Sequence, residues 1–189
     1  DRKISLIRRS AKLGIIPLGS GNGLARHLKI PLSYYGAVGT ILDENCEVID
    51  AEGGYITPGF IDLHIHGYLG KDVCDANVDS IRTIAGGLVE NGVTGFLPTT
   101  MTVDMEVIEG ALDACREVRN SGEYYGSQIL GVHAEGPFIS ASKKGAQDER
   151  FILKPDADFV KANKDIIKII TLAPEEDKDF AEIKRMAEE

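Results

Sequence analysis

The sequence predicts an α/β chain of four consecutive βα units, the number that makes up the N-terminal half of a (β/α)8 barrel. Three observations lead there. Short apolar runs of strand length alternate four times with amphipathic runs of helical period, the pattern of a parallel sheet with crossover helices. Apolar residues are 43% and charged residues 27% of the 189, enough to fill a core and too apolar for a disordered chain. The polar residues able to bind metal stand at the C-terminal ends of the strands, where barrel enzymes carry their sites. An open α/β sheet also places ligands at strand C-termini, so this last observation favours the half-barrel without excluding the open sheet.

Each element has a local reason. AVGTILD (37–43) and CEVID (46–50) read as short strands around Glu44-Asn45, a hairpin. GFIDLHIH (59–66) is a buried strand, and residues 78–92 form an amphipathic helix closed by Gly92. TGFLPTT (94–100) is a second strand and residues 103–120 a second helix. QILGVHAEG (128–136) is a third strand, followed by a polar loop to about residue 150. A short helix over 155–163 starts at Pro155, residues 166–175 form a fourth strand, and residues 177–189 a charged helix.

Charge divides the chain. Residues 1–35 carry Arg2, Lys3, Arg8, Arg9, Lys12, Arg26 and Lys29 against Asp1, while the whole chain is −9. The remainder is therefore strongly acidic, which argues against a general nucleic-acid binder. The first residues are Arg-rich and amphipathic, as a transit peptide is, but GIIPLGSGNG directly after them reads as folded structure. The chain opens on Asp, which reads as a fragment or a processed product. No apolar run approaches the roughly 18–20 residues that span a bilayer. Cys46, Cys74 and Cys115 are odd in number and widely spaced, as expected of reduced thiols in a cytoplasmic protein.

Two clusters carry chemistry. His64 and His66 close an apolar strand, and side chains at i and i+2 point to the same face, so both imidazoles can bind one cation. A pair of hydrogen-bonded core histidines would use the same pattern. Asp62, two residues earlier on the same alternation, is placed to orient them. His133 and Glu135 repeat the i, i+2 spacing ahead of Gly136-Pro137, where a carboxylate can ligate metal or act as a base. Cys74 is read as packing.

The motifs Y-I-T-P-G-F-I-D-L-H-I-H-G, G-V-T-G-F-L-P-T-T, H-A-E-G-P-F-I, K-K-G-A-Q and I-T-L-A-P-E run in this order over residues 36–189. This part of the chain resembles the N-acetylglucosamine-6-phosphate deacetylase family of the amidohydrolase superfamily. The resemblance implies a metal-dependent (β/α)8 hydrolase barrel with a small β domain, acting on an amino-sugar phosphate. It implies Glu135 as a metal ligand and His64 and His66 as ligands of a second metal where one is present. It implies that the Ala146 backbone contacts the sugar, and that Gln147 stands where some relatives have His. The same family takes two further histidine ligands and a catalytic Asp from later strands. Here no His follows His133, and Asp156, Asp158, Asp165, Asp177 and Asp179 lie in or near helices, so no catalytic residue is assigned. The metal is divalent; zinc, iron and manganese suit such ligands alike.

Residues 13–31, LGIIPLGSGNGLARHLKIP, resemble the glycine-rich loop of diacylglycerol kinase-type lipid kinases over residues 1–32. Backbone amides of Gly19, Ser20, Gly21, Asn22 and Gly23 would cradle a nucleotide phosphate at a helix N-terminus. The expected organisation is a kinase-like fragment over 1–35, a partial small β domain over 36–58, and four βα units over 59–189. An ATP-binding fragment and a non-catalytic half-barrel are the competing readings. Open sheet edges predict self-association.

Overall fold

The computed structural model describes residues 57–123 and 125–188. The hairpin expected over 37–50 and the Gly19–Gly23 loop lie outside the described residues.

FIDLHI, expected as a buried strand, forms β1 (Phe60–Ile65) with Phe60, Ile61 and Leu63 exposed, and pairs in parallel with β4 (Val93–Pro98). Phe60 stands opposite Val93 and Ile65 opposite Pro98, but the ladder is irregular between Asp62 and Ile65. Between these strands come a short antiparallel ribbon, β2 (Gly67–Tyr68) with β3 (Lys71–Asp72), and α1 (Val78–Val89). The Asn77 side chain caps α1 by accepting the Ser80 N–H at 2.9 Å. Asp104 caps α2 (Met105–Asn120) by accepting the Glu106 N–H at 2.9 Å.

The two helices press their apolar faces on the sheet. Ile81, Ile84 and Leu88 of α1 and Ile108, Leu112 and Cys115 of α2 recur at helical spacing and close over Phe96 and Ile129. Each fully buried aliphatic side chain there contributes about 1.5–3 kcal/mol. The end of β4, Gly95 to Pro98, is buried, as befits a strand covered on both faces.

The strand expected over 128–136 is two strands, β5 (Gln128–Ile129) and β6 (Val132–Glu135). The break falls at Leu130-Gly131, where the main pairing passes from β4 to β7 (Ile167–Thr171). At Gly131 the two backbones come so close that a Cβ would stand 2.8 Å from the Ile166 carbonyl oxygen. Pairing with the β4 side resumes through a bridge between Thr99 and His133, so the strands run in the order β1, β4, β5/β6, β7. All the pairings among them are parallel.

The later elements are shorter than expected. Helix α3 (Ala157–Ala162) begins after Asp156, whose side chain accepts the Asp158 and Phe159 N–H groups. β7 stops at Thr171, ahead of a 3-10 turn opened by Pro174. Helix α4 (Ala181–Ala187) starts late because Asp179 and Phe180 adopt positive φ before it. At the N-terminal end of β7, Arg116 of α2 holds the Asp165 carboxylate through Nε and Nη2, both at 2.9 Å, and Asn163 at 2.7 Å. That clasp belongs to the stabilising end of the sheet, opposite the strand ends that carry the site.

Candidate metal centre

Three side chains converge at the C-terminal ends of β1 and β6. His64 Nε2 and His66 Nε2 are 3.2 Å apart, and Glu135 Oε2 lies 3.0 Å from the first and 3.1 Å from the second. Strand alternation puts the two imidazoles on one face, and the register of the parallel strands brings Glu135 to them.

The tautomer of His66 follows from its partner. Its Nδ1 lies 3.1 Å from the Thr99 carbonyl oxygen, which can only accept, so Nδ1 carries the proton. Nε2 of the neutral ring therefore presents a lone pair to the cluster. Thr99 also uses its hydroxyl oxygen to accept the Ile65 N–H at 3.1 Å, between the two histidines. Glu135 Oε2 is buried and makes no aligned hydrogen bond, although both Nε2 atoms are near it. A buried carboxylate oxygen with no aligned donor, facing the His66 lone pair, is costly unless a cation lies between them.

The spacing fits such an ion. Donors held about 2.0–2.1 Å from a metal at inter-ligand angles of 90–110° stand roughly 2.9–3.4 Å apart. The three observed separations, 3.0, 3.1 and 3.2 Å, lie in that range. The donor set of two imidazoles and one carboxylate suits divalent transition metals. Among the described residues, His64, His66 and Glu135 form the group able to hold a metal ion.

Other residues singled out from the sequence stand elsewhere. His133 is 7% exposed, with Nδ1 3.1 Å from the Leu63 carbonyl oxygen and Nε2 2.8 Å from Thr171 Oγ1. Both ring nitrogens are occupied, which leaves no lone pair for a metal. Asp62 accepts the backbone N–H of His64 at 2.9 Å and so acts on its peptide unit. Cys74 accepts the Met101 N–H at 3.3 Å, and burial pushes its thiol up to about 11. Ala146 is exposed in the loop after β6. Gln147 is buried, its amide oxygen accepting the Thr102 N–H at 2.8 Å. The sequence reading missed Thr99 and Thr171; the P-T-T at the end of β4 was the one local signal for the former.

Residues 55–189 match the model of the amidohydrolase family. The chain belongs to the amidohydrolase family. The chain is 39% identical over 140 residues to the N-acetylglucosamine-6-phosphate deacetylase of Bacillus subtilis, across 71% of this chain and 35% of that protein. It is 36% identical over 135 residues to the protein of that name from Homo sapiens, across 67% of this chain and 32% of the relative. Among solved structures it resembles N-acetylglucosamine-6-phosphate deacetylase from Pasteurella multocida, with a TM-score of 0.66 and 32% identity over 76% of this chain and 39% of that one. The chain thus spans about a third of the length of the curated relatives it matches. The likeness carries the fold class: the four strands and their helices are part of an α/β barrel-type fold of the amidohydrolase family. Residues 3–52 separately match the diacylglycerol kinase catalytic domain. Among the described residues no helix is long and apolar enough to cross a membrane.

Proposed function

We propose that this chain carries the metal-binding strand ends of a hydrolase that converts N-acetylglucosamine-6-phosphate to glucosamine-6-phosphate and acetate. The observation that supports it most is the three-donor cluster of His64, His66 and Glu135, in a chain similar to proteins named for that deacetylation. These three residues would hold a divalent ion, with zinc, iron and manganese equally suited. When bound, such an ion supplies a Lewis acid for an amide carbonyl and a more acidic water.

The chain's own residues prepare that site. The Thr99 carbonyl keeps the His66 lone pair turned toward Glu135. Glu135 brings a negative charge that offsets part of the cation's. In the loop after β6, the exposed Ala146 is assigned a backbone contact to the sugar. Gln147 has its oxygen committed to Thr102, so its amide nitrogen is the group left for a substrate hydroxyl. Asp156 caps α3, Asp158 pairs with Arg185, Asp165 with Arg116, and Asp177 accepts the Ile183 N–H. None of these four is assigned proton delivery to the leaving amine.

The division into a kinase-like piece over 1–35, part of a small β domain over 36–58 and βα units over 59–189 belongs to this reading. So do a cytoplasmic setting for three reduced cysteines and self-association through β1, whose Phe60, Ile61 and Leu63 are exposed. A second reading, an ATP-binding fragment of a lipid kinase using Gly19, Ser20, Gly21, Asn22 and Gly23, is favoured by the match over residues 3–52. Calorimetry with Mg-ATP separates the two, a low-micromolar dissociation constant supporting the kinase.

The deacetylase reading is tested by acetate release from N-acetylglucosamine-6-phosphate. The chain alone should release none. Addition of the separately expressed remainder of a relative's barrel should restore turnover, and Glu135→Gln should remove it. Turnover by the chain alone that Glu135→Gln abolishes would place the proton carrier within this chain. No turnover in any combination would overturn the reading.

A further inference from the structure

We infer that His133 is a positioning residue that sets the direction of His64, working through the Leu63–His64 peptide and held in place by Thr171. The inference rests on the proposed metal centre. It begins with a gap: the β1–β4 ladder is irregular between Asp62 and Ile65, the stretch that carries His64. Side chains hold that stretch instead. The Leu63 carbonyl accepts from His133 Nδ1 at 3.1 Å, and the His64 N–H is donated to Asp62 Oδ1 at 2.9 Å. Both polar groups of one peptide unit are therefore fixed by side chains. The His133 ring also stands edge-on to that of His64, with centroids 4.9 Å apart and planes at 81°.

The proton positions make the arrangement one-way. A carbonyl can only accept, so His133 Nδ1 bears the proton and Nε2 takes the Thr171 hydroxyl hydrogen at 2.8 Å. Thr171 thereby occupies the lone pair that a flipped tautomer would need to protonate. One buried imidazole links β1, β6 and β7 across the strand ends. The two ligands are consequently secured in different ways. His66 is held on its own ring by the Thr99 carbonyl, whereas His64 is held through its backbone and by ring packing. Loss of the His133 link should act on the His64 arm alone.

The test is cobalt(II) titration of the full chain, read by its visible absorption bands, with the melting temperature of the metal-free protein as a control for folding. Thr171→Val keeps the side-chain shape at a strand end and removes the hydroxyl; Thr171→Ser restores it. Thr171→Val and His133→Gln should weaken cobalt binding about 10- to 100-fold and alter the bands, as loss of outer hydrogen bonds to metal ligands does. Thr171→Ser should match wild type. Long-range proton–nitrogen spectra of metal-free wild type should show His133 protonated at Nδ1, and Thr171→Val should mix the tautomers. Cobalt affinity and spectrum unchanged in both Thr171→Val and His133→Gln, with wild type binding normally, would overturn the positioning role and leave the metal centre standing. Absence of cobalt binding by folded wild type would overturn the metal centre and this role with it.

Discussion

Gly136, directly after Glu135, should tolerate alanine badly for two separable reasons. Its φ is +76°, a left-handed conformation that costs an L-residue about 1–2 kcal/mol. A Cβ there would also fall 2.2 Å from Thr102 Oγ1 and 3.2 Å from Thr102 Cα. Thr102 is 1% exposed and its N–H is held by Gln147, so it has little room to retreat. Overpacking of that kind adds about 1–3 kcal/mol, for a total of about 2–5 kcal/mol. Gly145 supplies the control: its φ is +60° and a Cβ would meet nothing within 4 Å, so Gly145→Ala carries only the backbone cost, about 1–2 kcal/mol. Equilibrium urea unfolding of both variants reads the difference directly. Gly136→Ala should cost at least about 1 kcal/mol more than Gly145→Ala, and in a Thr102→Ala background, which removes the hydroxyl at 2.2 Å and leaves Cα and Cβ at 3.2 Å, that difference should narrow. Equal costs for the two glycine variants would refute the close approach of the strand end to Thr102.

Two further outcomes are expected. Burial raises the thiols of Cys74 and Cys115 to about 11 and about 12, so a pKa of 11 leaves roughly 0.1% thiolate at pH 8. Peptide mapping after iodoacetamide treatment should find Cys115 unmodified and Cys74 slow; labelling of Cys115 at the rate of a free thiol would contradict the packing of α2. The Arg116 hydrogen bonds lower the Asp165 carboxyl pKa, so its contribution is present above the unfolded value near 3.9 and lost as pH falls through the folded one. Asp165→Asn should therefore flatten the acid limb of stability against pH by about 0.2–1 kcal/mol, small because the carboxylate is half exposed, and should not alter stability differences below that limb.

The parts of this molecule that were legible in the sequence are those in which side-chain type and spacing carry the information. D-L-H-I-H-G shows its pair of candidate ligands because a strand repeats every two residues, and H-A-E-G shows Glu135 because glycine and proline end the strand there. The periodic faces of α1 and α2 were equally readable. The support around the ligands was not. Thr99 holds His66 with a carbonyl, a group every residue has, so no residue type announces it. Asp62 was expected behind the histidine rings but serves a backbone N–H, because the ladder fails at that point and leaves the amide in need of an acceptor. His133 shares the i, i+2 spacing with Glu135; only the tertiary approach of Leu63 and Thr171 occupies both its nitrogens. The break at Leu130-Gly131 arises from the close approach of β7, which is far off in sequence. Short helices over 155–163 and 177–189 lost residues at their ends to capping aspartates and positive-φ turns.

The central claim is that His64, His66 and Glu135 bind one divalent ion together, and elemental analysis of the purified full chain tests it most directly. After growth with zinc, iron or manganese and extensive dialysis, wild type should retain about one ion per chain, as three converging protein ligands predict. His64→Ala/His66→Ala and Glu135→Gln should each retain almost none while keeping the wild-type circular dichroism spectrum. Equal metal content in wild type and these variants would contradict the account.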